Sequence, residues 1–225
     1  MTEANSPLAQ VQRHIAEAAE AASRRATDVT LLAVGKRQSP AAIRTLFEQG
    51  QRAFGENYVQ EALPKQALLA DIDIVWHFIG RIQRNKTRDI AAHFDWVHTV
   101  DRAEVAERLS AQRPPDRAPL NCLIEVNVSG EASKGGVSPE ALPALVAIMK
   151  TLPGLRLRGL MCLPAPSPDL DAQRAAFRQL RLLRDQMGDP ALSLLSMGTS
   201  SDFTAAILEG ADIVRIGTAL FGARA

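Results

Sequence analysis

Aromatic side chains, cysteine and net charge are all scarce in this chain of 225 residues. Aromatics make up 4% of it, with Tyr58 the single tyrosine, so no broad sticky interface is expected and a monomer is. The formal charge of +1 supplies no general pull toward nucleic acid or a membrane surface. The two cysteines, Cys122 and Cys162, each sit inside an apolar run. They read as small core residues in a reducing compartment, not as a disulfide. No CxxC or nearby Cys/His pair supports a metal site. No stretch approaches the roughly 18 apolar residues of a membrane span. The polar start, Met1 to Pro7, lacks the apolar centre of a signal peptide. A soluble, cytoplasmic protein is expected.

What is present is ordinary globular material: 46% apolar and 23% charged, which fits one α/β unit of this length. Short apolar runs recur at Val29–Val34, Arg52–Gly55, Val75–Gly80, Trp96–Val100, Cys122–Val128, Leu157–Leu163, Leu194–Gly198 and Ile213–Gly217. Such runs suit strands buried on both faces. Helical patterns separate them: Pro40–Gln49 after the N-cap Ser39, Tyr58–Ala70, Lys86–Phe94, Arg102–Ala111 capped by Asp101, Pro139–Thr151 capped by Ser138, Leu170–Met187 ending at Gly188, and a short helix ending at Gly210. Strands alternating with helices demand a parallel sheet. Eight such repeats, with an extra N-terminal helix at Leu8–Ala26, predict a single (β/α)8 TIM-type barrel over residues 1–225. An open doubly wound sheet is the alternative.

Barrels place chemistry at the C-terminal ends of their strands. Lys36 stands at the end of the first run, beside Arg37. A lysine held on an apolar wall next to another cation can present a neutral amine, which attacks an aldehyde to form a Schiff base. At the far end of the chain, Gly198-Thr199-Ser200 and Gly217-Thr218 follow the seventh and eighth strands, where barrel phosphate sites are frequent. Glycine, hydroxyls and a following helix start all favour an anion there. Amine and anion cradle together suggest a phosphorylated aldehyde. Arg215, inside the last strand, is costly unless paired. It either donates to a pyridine nitrogen, which it would leave neutral, or pairs with a carboxylate such as Glu125. The basic run Arg81, Arg84, Lys86 and Arg88 reads as a solvated face, and His98 as a satisfied core histidine.

Several segments resemble one family. They are Leu31–Lys36, Phe54–Glu61 and Trp76–Lys86, then Val126–Val128, Ser133–Gly136 and Arg158–Met161, and finally Leu195–Gly198 and Val214–Arg224. In this order they resemble the pyridoxal-phosphate homeostasis proteins, the YggS/PROSC family. The resemblance implies the alanine-racemase N-terminal barrel, pyridoxal-phosphate fold type III, with the cofactor bound covalently as an aldimine on Lys36. It implies phosphate contacts from Ser200, Gly217 and Thr218, Arg215 at the pyridine nitrogen, and Asn57, His77 and Met161 around the ring. It further implies a carrier or buffer of vitamin B6 with little or no turnover, whose partners are the cofactor and the apo-enzymes that need it. Gly35 and Arg37 depart from the serine or similar small residue and the threonine that usually flank this lysine, and Thr199-Ser200-Ser201 departs slightly from the usual Met-Ser.

Not an enzyme is therefore the expectation, and weak racemase or lyase chemistry through the same aldimine is the alternative. Racemisation needs acid/base groups on both faces of the substrate carbon. The related racemases draw one of these from an added β-domain, which this sequence is too short to build. A cofactor-free aldolase using Lys36 is the reading from another class. Tyr58, at a helix start, is expected to pack and not to serve as an acid.

Overall fold

The computed structural model describes residues 6–130 and 135–222. Of the resemblance segments, Ser133, Lys134, Ala223 and Arg224 lie outside the described residues. Strands β1 (Thr30–Val34), β2 (Ala53–Glu56), β3 (Val75–Phe78), β4 (Trp96–Val100), β5 (Leu120–Glu125), β6 (Leu155–Met161), β7 (Leu194–Thr199) and β8 (Ile213–Ile216) run parallel and close into a barrel in chain order. The ring shuts where β1 pairs with β8, Leu32 opposite Arg215 and Ala33 opposite Ile216. An open sheet is excluded, because every strand has a neighbour on both sides.

Each strand is buried on both faces, and this is why its sequence reads as a run and not as an alternation. Leu32, Leu123, Met161 and Ile213 turn inward and pack on one another inside the ring. Their chain neighbours Ala33, Ile124, Leu160 and Val214 turn outward, under the helices. The helices are α1 (Pro7–Ala21), α2 (Pro40–Glu48), α3 (Val59–Leu68), α4 (Thr87–His93), α5 (Ala103–Ala111), α6 (Leu142–Lys150), α7 (Leu170–Met187), α8 (Phe203–Leu208) and α9 (Thr218–Phe221). At the start of α2 the Ser39 hydroxyl accepts from the Ala42 amide at 3.2 Å, with Pro40 in the first turn, as predicted. Gly188 ends α7 in the left-handed region, φ 57°, also as predicted.

Boundaries differ where tertiary detail intervenes. The first helix stops at Ala21 and not at Ala26, because Ser23 turns left-handed at φ 56° and a 3₁₀ turn, Ala26–Asp28, leads into β1. The sixth helix begins at Leu142 and not at Pro139; Ser138 instead closes a turn, accepting from the Ala141 amide at 3.4 Å. Asp101 does not cap α5; its carboxylate is engaged by the Arg102 guanidinium at 2.5 Å. Both cysteines are buried free thiols, and burial pushes both up from the ordinary thiol range.

Candidate functional site

A cavity of about 480 Å³ opens at the C-terminal end of the barrel. Lys36, Asn57, Ser200, Arg215, Gly217 and Thr218 all line it, with Val34, Ile79 and Leu163 as apolar wall. These side chains come from both ends of the sequence, and the β1–β8 seam is what brings them together.

The turn after β1 presents Lys36, which is half-buried. Beneath it lies a feature that sequence reading missed. The Lys65 ammonium, on α3, donates to the Gly35 carbonyl and to Glu56 Oε1, both at 2.8 Å. Glu56 is fully buried, and burial pushes its carboxyl up while Lys65 pulls it back. A Cβ on Gly35 would stand 2.8 Å from Glu56 Oε1, so a larger residue here would have to displace this pair. Arg37 adopts φ 61°, and its amide donates to Glu61 Oε2 at 3.0 Å. Its side chain is exposed to solvent.

In the same wall the Gly217 amide donates to Ser200 Oγ at 3.3 Å, tying the β7 and β8 loops together. The Thr199 hydroxyl is committed elsewhere, donating to Asp202 Oδ1 at 2.9 Å. The helices behind these loops hold only six residues in α8 and four in α9, so the aligned dipole is small. Local amides and hydroxyls are what these loops offer an anion.

Arg215 is buried in the wall. It donates to Ser196 Oγ at 2.8 Å and to the Cys162 carbonyl at 2.9 Å. The alternative of an ion pair with Glu125 is not formed among the described residues; Glu125 acts on it only at longer range.

His77 and Met161 do not line the cavity. Met161 belongs to the apolar cluster inside the ring. His77 sits one side-chain layer deeper than Ile79, its ring stacked on Trp96 at 5.4 Å and 7°. Its Nδ1 lies 2.9 Å from His98 Nε2, and His98 Nδ1 lies 2.9 Å from Ser196 Oγ. Burial holds His77 down at about 3 and His98 well below the ordinary histidine range. The signal for this polar layer was a histidine or serine at an inward position of three otherwise apolar strands. Tyr58 is 51% exposed and lies outside the main cavity, against a smaller recess of about 190 Å³ that Arg81 and Lys86 also line. Among the described residues no cluster of three His, Cys, Asp or Glu side chains could hold a metal ion.

Closed parallel ring, strand-one lysine and glycine-hydroxyl loops after the last two strands define a recognised class. Residues 8–225 match the family model "Alanine racemase, N-terminal domain". Alanine racemase from Corynebacterium glutamicum shares the fold, with a TM-score of 0.65 at 19% identity, over 95% of this chain and 61% of that one. Within that class the chain belongs to the pyridoxal phosphate homeostasis proteins. It is 58% identical to the pyridoxal phosphate homeostasis protein of Pseudomonas aeruginosa over 219 residues, 96% of this chain and 94% of the relative. The Escherichia coli K12 protein of the same name is 46% identical over 222 residues, 96% of this chain and 95% of that one. PipY of Synechococcus elongatus, solved with pyridoxal phosphate bound, superposes with a TM-score of 0.80 at 38% identity, covering 92% of this chain and all (100%) of that one.

Proposed function

We propose that this protein binds pyridoxal 5'-phosphate through a Schiff base on Lys36 and carries or buffers it, with little or no turnover, for apo-enzymes that need it. The observation that carries the reading is that Lys36, Ser200, Gly217 and Thr218 line one cavity, with Arg215 in the same wall. PipY, solved with pyridoxal phosphate, supports it by likeness.

The residues fit that ligand. Lys36 supplies the amine and the two loops supply donors for a phosphate. Arg215 has five N–H donors and spends two on Ser196 and Cys162, so others remain for a ring nitrogen. Asn57 Oδ1 is buried without a hydrogen-bond partner among the described residues, which suits a wall that a polar ligand completes. Ser200 is the hydroxyl favoured for phosphate, because Thr199 is held by Asp202. When bound, the cofactor supplies an electron-withdrawing ring and an aldehyde. Arg215 would hold that ring without giving it a proton, which limits deep carbanion chemistry. Among the lining residues only Lys36 can exchange a proton readily, since a guanidinium does not give one up. A second acid/base group on the other face is what racemisation would need, and the described residues of this wall do not offer one.

The loaded protein is expected to be yellow, bleached by borohydride with the label on Lys36. Lys36→Ala should lose the visible band while keeping its circular dichroism and, within about 1 kcal/mol, its stability, as a half-buried side chain outside the core predicts. An unchanged band in that variant sinks the assignment. Incubation with single amino-acid enantiomers and chiral analysis should show no appreciable racemisation; fast racemisation would replace carrier with enzyme.

A further inference from the structure

Arg215 is a buried cation whose guanidinium hydrogen-bonds, among the described residues, to two neutral groups, the Ser196 hydroxyl and the Cys162 carbonyl. A buried charge ordinarily lies against an opposite one, because removing it from water is costly. No carboxylate among the described residues pairs with it. What stands behind Ser196 instead is a row of buried polar rings: Ser196 Oγ to His98 Nδ1 at 2.9 Å, and His98 Nε2 to His77 Nδ1 at 2.9 Å.

The order of hydrogens along this row follows from the chemistry of its end. Arginine only donates, so the Ser196 oxygen accepts from Arg215 and its one hydrogen goes to His98 Nδ1. His98 is then the Nε2–H tautomer and donates to His77 Nδ1, which places the His77 proton on Nε2 as well. Every dipole in the row turns its negative end to the guanidinium. The reverse order would aim positive ends at the cation. It would also leave the Ser196 hydrogen without an acceptor among the described residues. Both rings stay neutral at ordinary pH, because burial opposes their charging.

We infer that Ser196, His98 and His77 form an ordered neutral chain that replaces a counterion: it stabilises the Arg215 charge, fixes the guanidinium in one orientation and leaves its remaining donors for the ligand. Ser196, His98 and His77 are positioning residues, since each acts through Arg215. A neutral chain does this without cancelling the positive charge, as a carboxylate would, and an undiminished cation beside the ring nitrogen keeps that nitrogen unprotonated. Only this last consequence rests on the proposed cofactor; the order of the chain belongs to the protein alone.

Nitrogen-15 NMR of histidine-labelled, ligand-free protein reads the chain directly. At pH 7 both buried rings are expected neutral with the proton on Nε2; an Nδ1-protonated or charged His98 overturns the inference. Ser196→Ala removes one oxygen atom from a buried strand. In protein loaded with pyridoxal phosphate it should shift the visible band and speed cofactor release by about tenfold, the effect of losing one hydrogen bond to a charged group. Release at the native rate with an unshifted band would overturn it too. Should native protein form no band at all, the cofactor reading falls, while the histidine tautomers still decide the chain.

Discussion

Gly35 has no side chain, and the site depends on that lack. Its missing Cβ leaves room for the Glu56 carboxylate, which Lys65 in turn draws toward the Gly35 carbonyl. The added methyl of Gly35→Ala would stand 2.8 Å from Glu56 Oε1 and 3.3 Å from Ile43 Cδ1. Overpacking of that kind costs about 1–3 kcal/mol. Urea unfolding should show that loss, with faster cofactor release, because the strained turn carries Lys36. The partner prediction concerns Lys65, whose side chain is 9% exposed against 0% for Glu56. Lys65→Met leaves a buried carboxylate alone, a change that costs about 3–5 kcal/mol. Adding Glu56→Gln removes the stranded charge and should recover much of it. If the double variant is no more stable than Lys65→Met, the ion pair is not what holds this turn.

At the scale of the element, the sequence was legible wherever one residue and its near neighbours decide the outcome. Apolar runs marked the strands because both faces of each are buried, and Ser39-Pro40 and Gly188 marked helix ends because caps are local. The strand-end rule pointed to Lys36, Asn57, Ser200, Gly217 and Thr218, and these line one cavity together with Arg215, which was singled out inside the last strand. Two kinds of feature escaped. One is a backbone exception such as Ser23 at φ 56°, where the helix pattern continues but the chain turns away. The other is a polar contact between distant positions: Ser196 meets His98 across 98 residues, and Arg215 meets Cys162 across 53. Periodicity says that such a residue faces inward, not whom it will meet. His77 illustrates the difference, since its inward direction was readable and its layer, beneath the cavity floor, was not.

For the whole molecule, the buried histidine pair makes acid the weak side of the fold. An unfolded chain takes up protons at histidine near pH 6.5, while folded His77 does so only near pH 3. The unfolded state therefore binds more protons throughout that window, and stability falls as pH drops from about 6.5 toward 3. The slope from His77 alone is about 1.4 kcal/mol per pH unit. His98 acts in the same direction. Glu56, Glu125 and Asp212, all raised by burial, act in the opposite direction as they protonate. A His77→Asn variant should show a shallower fall in unfolding free energy between pH 6 and 4 than the native protein; equal slopes would mean that His77 is charged in the fold.

The seam between the first strand and the last carries one more consequence. Lys36 is synthesised before Arg215 and Gly217, and the ring cannot shut until β8 has emerged. On the proposed reading, a nascent chain without β8 has the Lys36 amine but lacks the loop that would hold a phosphorylated aldehyde. A polypeptide stalled before β8 should then carry no pigment.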